Sequence, residues 1–256
     1  MNITLVGYGA MGRLIKESAV RRGHRIRTVD PASADADFKR LDAAALEDAD
    51  MCIDFSAPAA TLDNIAAAAE FGCSIVVGTT GWYARLDEAR RIVAASRIGF
   101  LYGSNFSIGV NLFYRIVRHA AALINRFGQY DVSGLELHHH RKADSPSGTA
   151  QTLADILLSE VERKRSVVYE RCDRRILPEE LHFASLRCGN IPGTHEIIFD
   201  AEEDSISLKH AARSRAGFAA GAVAGAEWLR GRSGFFTVDQ FMESFIGAIT
   251  PGAGNA

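Results

Sequence analysis

Five basic residues in a row, His138, His139, His140, Arg141 and Lys142, are followed shortly by Pro146-Ser147-Gly148-Thr149. Residues of these types can hold a metal, bind nucleic acid, form a solvated turn, or hold and protonate an anion. Adjacent histidines at a strand end point in alternating directions and do not converge on one ion. No H-E-x-x-H and no cysteine partner accompanies them, so no metal is expected. A solvated basic turn stays open as the plain reading. The context favours an anion site. The strand ends at His138, the loop carries cations, and Ser147, Gly148 and Thr149 then present N–H groups and hydroxyls at a helix start. A histidine, with its reference pKa of about 6.5, can donate a proton near neutrality. A nearby lysine can supply charge or a second proton, and a bound anion can hold either group cationic.

A second constellation opens the chain. Gly7-Tyr8-Gly9-Ala10-Met11-Gly12 is a G-x-G-x-x-G that follows a strand-like run and opens a helical one. Glycine lets the backbone approach a pyrophosphate, and the helix start offers free N–H groups. Asp30 closes the next strand, 18 residues after Gly12, where an acid can bind ribose hydroxyls. A carboxylate there suits NADH, and the next residue is Pro31 rather than an arginine. Lys39 and Arg40 keep NADPH open. A simple strand-end turn is the other reading of Asp30. Gly78-Thr79-Thr80 and Gly103-Ser104-Asn105-Phe106 also stand where strands end, the side on which open α/β sheets hold ligands. They are expected to line the cofactor, with 103–107 as a cleft wall and hinge, while a simple Gly/Thr turn is an equal reading of the first.

The elements that must position these groups are legible as alternation. "NITLVG", "HRIRTVD", "ADMCIDFS", "CSIVVGTTG" and "IGFLYGSNFS" read as strands, separated by helical runs that close at Gly23 and Gly72. Such a pattern implies a parallel sheet covered on both faces, a doubly wound dinucleotide-binding (Rossmann) domain. The pattern then changes. A long helix is expected over "IGVNLFYRIVRHAAALINRF", with Leu112, Ile116, Ala120, Leu123 and Phe127 as its stripe and Ser107 as its cap. "YDVSGLELHH" reads as a strand, and a helix with Leu153, Leu157 and Val161 follows. Three further strand-like runs come next, the last two flanking the acidic turn "EED". This is a second, α+β domain on a mixed or meander sheet. Gly217, Gly221 and Gly225 predict close backbone packing of a later helix against the first sheet, and "TVDQ" is a capping box before a final helix with Val238, Phe241 and Phe245. The expected division is 1–106 with 214–256 for the dinucleotide domain and 107–213 for substrate binding and oligomerisation.

Composition narrows the classes. A net charge of −2 offers no global attraction to nucleic acid or to an anionic membrane. The four cysteines are scattered without C-x-x-C, as expected of reduced thiols in a cytoplasmic protein. No run is long enough to span a bilayer, and the first residues lack the layout of a signal peptide.

"GYGAMG", "IDFSAP", "GTTG", "SNFSIGVN" and above all "ELHHHRKADSPSGTA" resemble the dihydrodipicolinate reductase family, in matching order over nearly the whole chain. The segment E-x-H-H-x-x-K-x-D-x-P-S-G-T fits Glu136, His138, His139, Lys142, Asp144, Pro146, Ser147, Gly148 and Thr149 without a gap. The resemblance implies NADH- or NADPH-dependent reduction of a cyclic, unsaturated dicarboxylate in lysine and diaminopimelate biosynthesis. It implies His138 as general acid, Lys142 as second proton donor, and His139, Ser147, Gly148 and Thr149 as carboxylate binders. It also implies a homotetramer built through the second domain's sheet. Two departures stand out. "ERCDRRILPEELHF" lacks the glycine-rich approach expected before R-x-G-x-I, although Arg187, Gly189 and Ile191 fit. Pro31 removes the arginine that some members use for NADPH, which favours NADH. The competing classes are another two-domain dehydrogenase and a non-catalytic NAD(H)-sensing protein.

Overall fold

The structure, a computed structural model, describes residues 1–169 and 172–246. The alternation expected at the start is present as β1 (Asn2–Val6), α1 (Ala10–Arg21), β2 (Arg25–Val29), α2 (Ala43–Leu46), β3 (Met51–Asp54), α3 (Thr61–Glu70), β4 (Ile75–Val77), α4 (Leu86–Ser96) and β5 (Gly99–Tyr102). Next come α5 (Ile108–Ile124), β6 (Asp131–His138), α6 (Gly148–Glu160), β7 (Ser166–Val168), β8 (Glu180–Arg187), β9 (Thr194–Asp200) and β10 (Ser205–Ala211). The chain closes with α7 (Ala216–Leu229), β11 (Gly234–Thr237) and α8 (Val238–Ile246). Two compact units form, Met1–Ile108 with the chain from Arg215 onward, and Gly109–Ser214.

In the first unit the sheet order is β11-β5-β4-β3-β1-β2, with every neighbouring pair parallel. From β1 the chain steps one way to β2 and then returns past β1 to β3. The switch point, where such sheets bind ligands, therefore lies between the ends of β1 and β3. Both faces are covered, which is why all four residues of β3 are buried. Ile15 of α1 and Val223 of α7 share a core with Leu5 and Ile53 on one face. Ile65 of α3 and Val93 of α4 pack with Cys52 and Val77 on the other.

The α7 glycines explain themselves in part. A Cβ on Gly221 would stand 1.7 Å from the Phe106 carbonyl oxygen, and one on Gly225 would stand 2.9 Å from Leu101 Cδ2. Gly217 meets nothing nearer than Ser107 Oγ at 3.6 Å, an ordinary contact, so only two of the three are required by packing. The capping box of α8 forms: Thr237 N–H donates to Gln240 Oε1 at 2.9 Å, and Gln240 N–H donates to Thr237 Oγ1 at 3.3 Å. Val238 and Phe241 are buried as expected, but Phe245 is exposed. The short strand β11 is not foreseen by the alternation. It pairs Gly234–Thr237 with Gly99–Tyr102 at the sheet edge.

In the second unit the order is β10-β9-β6-β8-β7. β6 runs parallel to β8 and β8 to β7, while β9 is antiparallel to both β6 and β10. The sheet is therefore mixed, and its hairpin is β9–β10 across the acidic turn. Val117, Ala121, Leu153 and Leu157 of α5 and α6 bury one sheet face with Phe183 and Phe199. The stripe expected for α5 faces the wrong way. Leu112, Ile116, Leu123 and Phe127 are exposed, and Val110, Phe113, Val117, Ala121 and Ile124 are buried instead. The helix is apolar on two faces, and periodicity alone does not say which one meets the sheet. Part of the "ERCDRRILPEELHF" departure, residues 170–171, lies outside the described residues, as does the C-terminal tail from 247.

Candidate active site

In the first unit the glycine loop is built around its neighbours. Gly7 has φ +90°, and a Cβ there would stand 2.2 Å from the Phe55 carbonyl oxygen across the switch point. A Cβ on Gly12 would stand 2.1 Å from the Gly7 carbonyl oxygen, so this glycine lets α1 start tight against β1. Gly9 is different, since a Cβ there would meet nothing within 4 Å. That space belongs to a cavity of about 630 Å³ lined by Gly7, Gly9, Asp30, Lys39, Ser56 and Asn64, among others. Open space over a glycine at a helix N-terminus, beside an acid at the next strand end, fits a dinucleotide. Tyr8 is half-buried, with Arg13 and Lys16 over its ring, while Ala10 is exposed and Met11 packs against the core.

Asp30 holds the turn it stands in. Its Oδ2 accepts from Tyr8 N–H at 2.8 Å, and its Oδ1 accepts from Ala32 and Ser33 N–H at 2.8 and 3.1 Å. The Tyr8 bond above all, with the other two N–H groups and the Lys39 charge, holds this carboxyl below the usual range. Three of roughly four acceptor positions are taken. The expected turn role is thus present, and an acceptor position is left over for a ligand. Lys39 donates to the Ser33 carbonyl oxygen, and Arg40 lies 3.3 Å from Asp42.

The ends of β3 and β4 are joined by a buried carboxylate that motif reading passed over. Asp54 Oδ1 accepts from Ser56 N–H and Thr79 Oγ1 at 2.8 Å and from Ser56 Oγ at 2.7 Å. Its Oδ2 accepts from Asn64 Nδ2 at 3.0 Å. Thr79 is thus fixed from behind, while Thr80 is exposed and Gly78 sits against the Phe55 ring. At the end of β5, Ser104 is exposed, and Asn105 Oδ1 accepts from Ser107 N–H at 2.9 Å. The Phe106 side chain is buried under α7, and Gly103 is held against Val238, so these two have only backbone groups to offer a ligand.

In the second unit, sheet register assembles a row that no single motif shows. Glu136 on β6 lies opposite His195 on β9 and Ser185 on β8, and His138 lies opposite Arg187. Glu136 and His138 are two apart on one strand and so share the buried face. Glu136 Oε1 accepts from Ser185 Oγ at 2.8 Å, and from Ser147 N–H and Arg187 Nη2 at 3.0 Å each. Burial works to raise its pKa, but the hydrogen bonds donated to it prevail and hold it far below the usual range. His138 Nδ1 lies 3.1 Å from Glu136 Oε2, though not aligned as a hydrogen bond. Burial pushes the His138 imidazole down to about 4, against the pull of Glu136, and the charges of His195, Lys142 and Arg187 act in the same direction as burial.

Lys142 reaches both oxygens of Asp144 at 2.8 Å, which holds the Asp144 carboxyl low. Ser147 caps α6, accepting from Ala150 N–H at 3.2 Å, with His195 Nε2 at 3.3 Å from its hydroxyl. Gly148 is exposed and Thr149 half-buried at that helix start. Its first N–H groups have no intrahelical carbonyl to meet. His139 is half-buried beside His138. His140 is exposed, its Nδ1 3.0 Å from the Gly189 carbonyl oxygen, and Arg141 is exposed. The three adjacent histidines therefore do not converge. Among the described residues, the group with metal-like spacing is Glu136, His138 and His195, whose donor atoms lie within 4.8 Å of one another. Arg187 already supplies a cation to that carboxylate. The meeting of Glu136, Ser185, Arg187 and His195 was not foreseen, because it is cross-strand. The spacing Glu136-x-His138 was the available signal.

Two family models described as dihydrodipicolinate reductase match this chain, the N-terminal one over residues 1–106 and the C-terminal one over 109–242. The chain is 38% identical over 246 residues to the 4-hydroxy-tetrahydrodipicolinate reductase of Christiangramia forsetii, covering 96% of this chain and 99% of that one. It is 36% identical over 254 residues to the Archaeoglobus fulgidus enzyme of the same name, covering 92% and 96%. In fold it is similar to the dipicolinate-bound dihydrodipicolinate reductase of Paenisporosarcina sp. TG-14, with a TM-score of 0.74, 19% identity, and 94% and 98% of the chains covered.

Proposed function

The chain belongs to the dihydrodipicolinate reductase family, and from that premise we propose how its own residues reduce 4-hydroxy-tetrahydrodipicolinate to tetrahydrodipicolinate with NAD(P)H. The observation that carries the reading is one loop at the carboxyl end of β6. It brings His138, Lys142 and the open start of α6 together over a buried, anionic Glu136. One substrate carboxylate lies on the N–H groups of Gly148 and Thr149 and the hydroxyls of Ser147 and Thr149, where the helix dipole favours an anion. His139 binds the other. Lys142 exchanges Asp144 for the substrate and serves as second proton donor. His138 is neutral before substrate arrives. A bound dianion favours its charged form. The substrate loses its 4-hydroxyl as water together with a hydrogen of the adjacent ring carbon, hydride adds to the carbon that carried the hydroxyl, and His138 delivers the proton to the neighbouring carbon, so one hydride, one proton and one departing water balance the reduction.

Bound NAD(P)H supplies the hydride. Gly9 and the start of α1 take the pyrophosphate, and the remaining acceptor capacity of Asp30 takes a ribose hydroxyl. Gly78, Thr79, Thr80 and the 103–106 turn line the nicotinamide end. NADH is the favoured cofactor, because a 2′-phosphate would meet the Asp30 charge and Pro31 offers no cation. The domain limits are read as 1–106 with 214–256 for the cofactor and 107–213 for the substrate.

The second unit's other sheet face carries Leu135, Leu137 and Ile198, half-buried, and Leu186, exposed. Four copies joined through such faces would cover them, giving a homotetramer. No described helix is long and apolar enough to cross a membrane, and the enzyme works in the cytoplasm on this reading. The test couples aspartate semialdehyde and pyruvate through the preceding synthase and follows nicotinamide absorbance. Oxidation of both cofactors, with higher kcat/KM for NADH, is expected. No oxidation of either by folded protein overturns the activity, and an NADPH preference overturns the role given to Asp30 and Pro31.

A further inference from the structure

Glu136 has no task in the reaction just described, yet its carboxylate is held by three donors. It is fully buried, and one oxygen, Oε1, takes all three of its donors: Ser147 N–H, Ser185 Oγ and Arg187 Nη2. The other oxygen, Oε2, has no hydrogen-bond partner among the described residues. Buried polar atoms are almost always paired, so an unpaired one calls for a reason. Oε2 points at two imidazoles, 3.1 Å from His138 Nδ1 and 3.6 Å from His195 Nε2. Anchoring one oxygen on three donors, from β8 and the start of α6, fixes the direction of the other.

The far side of the His138 ring is kept clear. Gly193 has φ +155°, and a Cβ there would stand 3.0 Å from His138 Nε2. A side chain at this position would crowd the nitrogen that faces away from the carboxylate. His138 is thus bracketed, with an acceptor waiting at Nδ1 and no side chain at Gly193 to crowd Nε2.

We propose that Glu136 is the positioning residue of the proton donor: its Oε2 accepts from His138 Nδ1–H, so that Nε2 is the nitrogen that passes a proton to the substrate. This rests on the reading of His138 as general acid. The 3.1 Å contact is short but misaligned, and it straightens when the substrate loads the ring with a second proton; such bonds are often poorly aligned before substrate binds. The groups facing the ring are Glu136, His195, Lys142 and Arg187, of which Glu136 alone favours the cation. With three neighbours opposing charge, Glu136 and the substrate dianion together must supply the attraction. Ser185 and Arg187 act one step further out, by holding the carboxylate.

The test is imidazole 15N NMR with steady-state kinetics on the full-length protein. In the wild type, neutral His138, assigned by its loss in H138Q, is expected as the Nδ1–H tautomer. In Glu136→Gln the carboxamide oxygen keeps the three donors, and its NH2 faces Nδ1. The tautomer should invert to Nε2–H. kcat should fall about 10- to 100-fold, the substrate KM should stay within about threefold, and the alkaline limb of kcat should move to lower pH. An Nε2–H tautomer in the wild type overturns the proposal, and that measurement stands even if the variant does not fold. So does a folded E136Q with wild-type kcat and an unmoved limb while H138Q is inactive. Normal turnover in H138Q would instead overturn the acid role itself.

Discussion

Asp54 at the end of β3 and Glu136 near the end of β6 are buried carboxylates, one from each unit, and they are treated differently. Asp54 has partners on both oxygens, Ser56 and Thr79 on one and Asn64 on the other. Glu136 has three donors on one oxygen and none on the other. A carboxylate whose oxygens are all engaged ties loops together and has nothing left to offer. One that is anchored on a single side holds a charge in a fixed direction with an acceptor in reserve. By this criterion Asp54 belongs to the frame of the cofactor site, and Glu136 belongs to the chemistry.

The comparison can be broken most forcefully at the residues Glu136 serves. His138→Gln or Lys142→Met should lower kcat by at least about 100-fold, the usual scale of acid catalysis, with the fold intact by circular dichroism. Near-normal turnover in both would remove the chemical half of the contrast. Asp54→Ala should act on stability and on nucleotide binding instead. It removes the acceptor shared by the Ser56 and Thr79 hydroxyls and the Asn64 amide, at a cost of about 2–3 kcal/mol of unfolding free energy. It should also raise the NADH KM while kcat at saturating NADH changes little. A large kcat loss at saturation in D54A would place Asp54 with the chemistry after all.

A smaller effect separates two glycines of one loop. Gly7→Ala puts a side chain at φ +90° against Phe55 and should cost about 1–2 kcal/mol in denaturant titration. Gly9→Ala meets nothing within 4 Å and should leave stability within about 0.5 kcal/mol, yet weaken NADH binding. Equal stability losses would mean that Gly9 is structural too. The smallest effect is on pH dependence. Burial holds the free His138 down to about 4, below its ordinary value, so at pH 7 it is neutral. A bound dianion raises that pKa, binding takes up a proton, and affinity must fall as pH rises. Dipicolinate affinity should therefore drop severalfold between about pH 6.5 and 7.5. Calorimetry in buffers of different ionisation enthalpy should show net proton uptake. Proton release, or none, would place the charge change elsewhere.

What the chain discloses in advance follows the range of the forces involved. The first strand, its glycine turn and α1 are local and were legible, as were the α8 capping box and the packing glycines at Gly221 and Gly225. The short edge strands β7 and β11 were not, because three or four residues carry no periodicity and are held by a partner strand far away in the chain. The face of α5 was misread because both of its faces are apolar and only the sheet selects between them. The candidate site divides in the same way. His138, Lys142 and the start of α6 fall within one short loop and could be picked out together. The row of His195, Glu136 and Ser185 is written in the register of three strands, β9, β6 and β8. Nothing in the spacing of those residues along the chain announces that they meet.

The central claim is that this chain moves a hydride and a proton onto neighbouring carbons of one cyclic dicarboxylate. The most direct measurement is coupled turnover with NADH carrying deuterium at the transferred position, followed by NMR of the product. The account predicts deuterium on one ring carbon, a solvent proton on its neighbour, and loss of both transfers in H138Q. Deuterium that stays on the nicotinamide, or a product with deuterium on neither carbon, would contradict it.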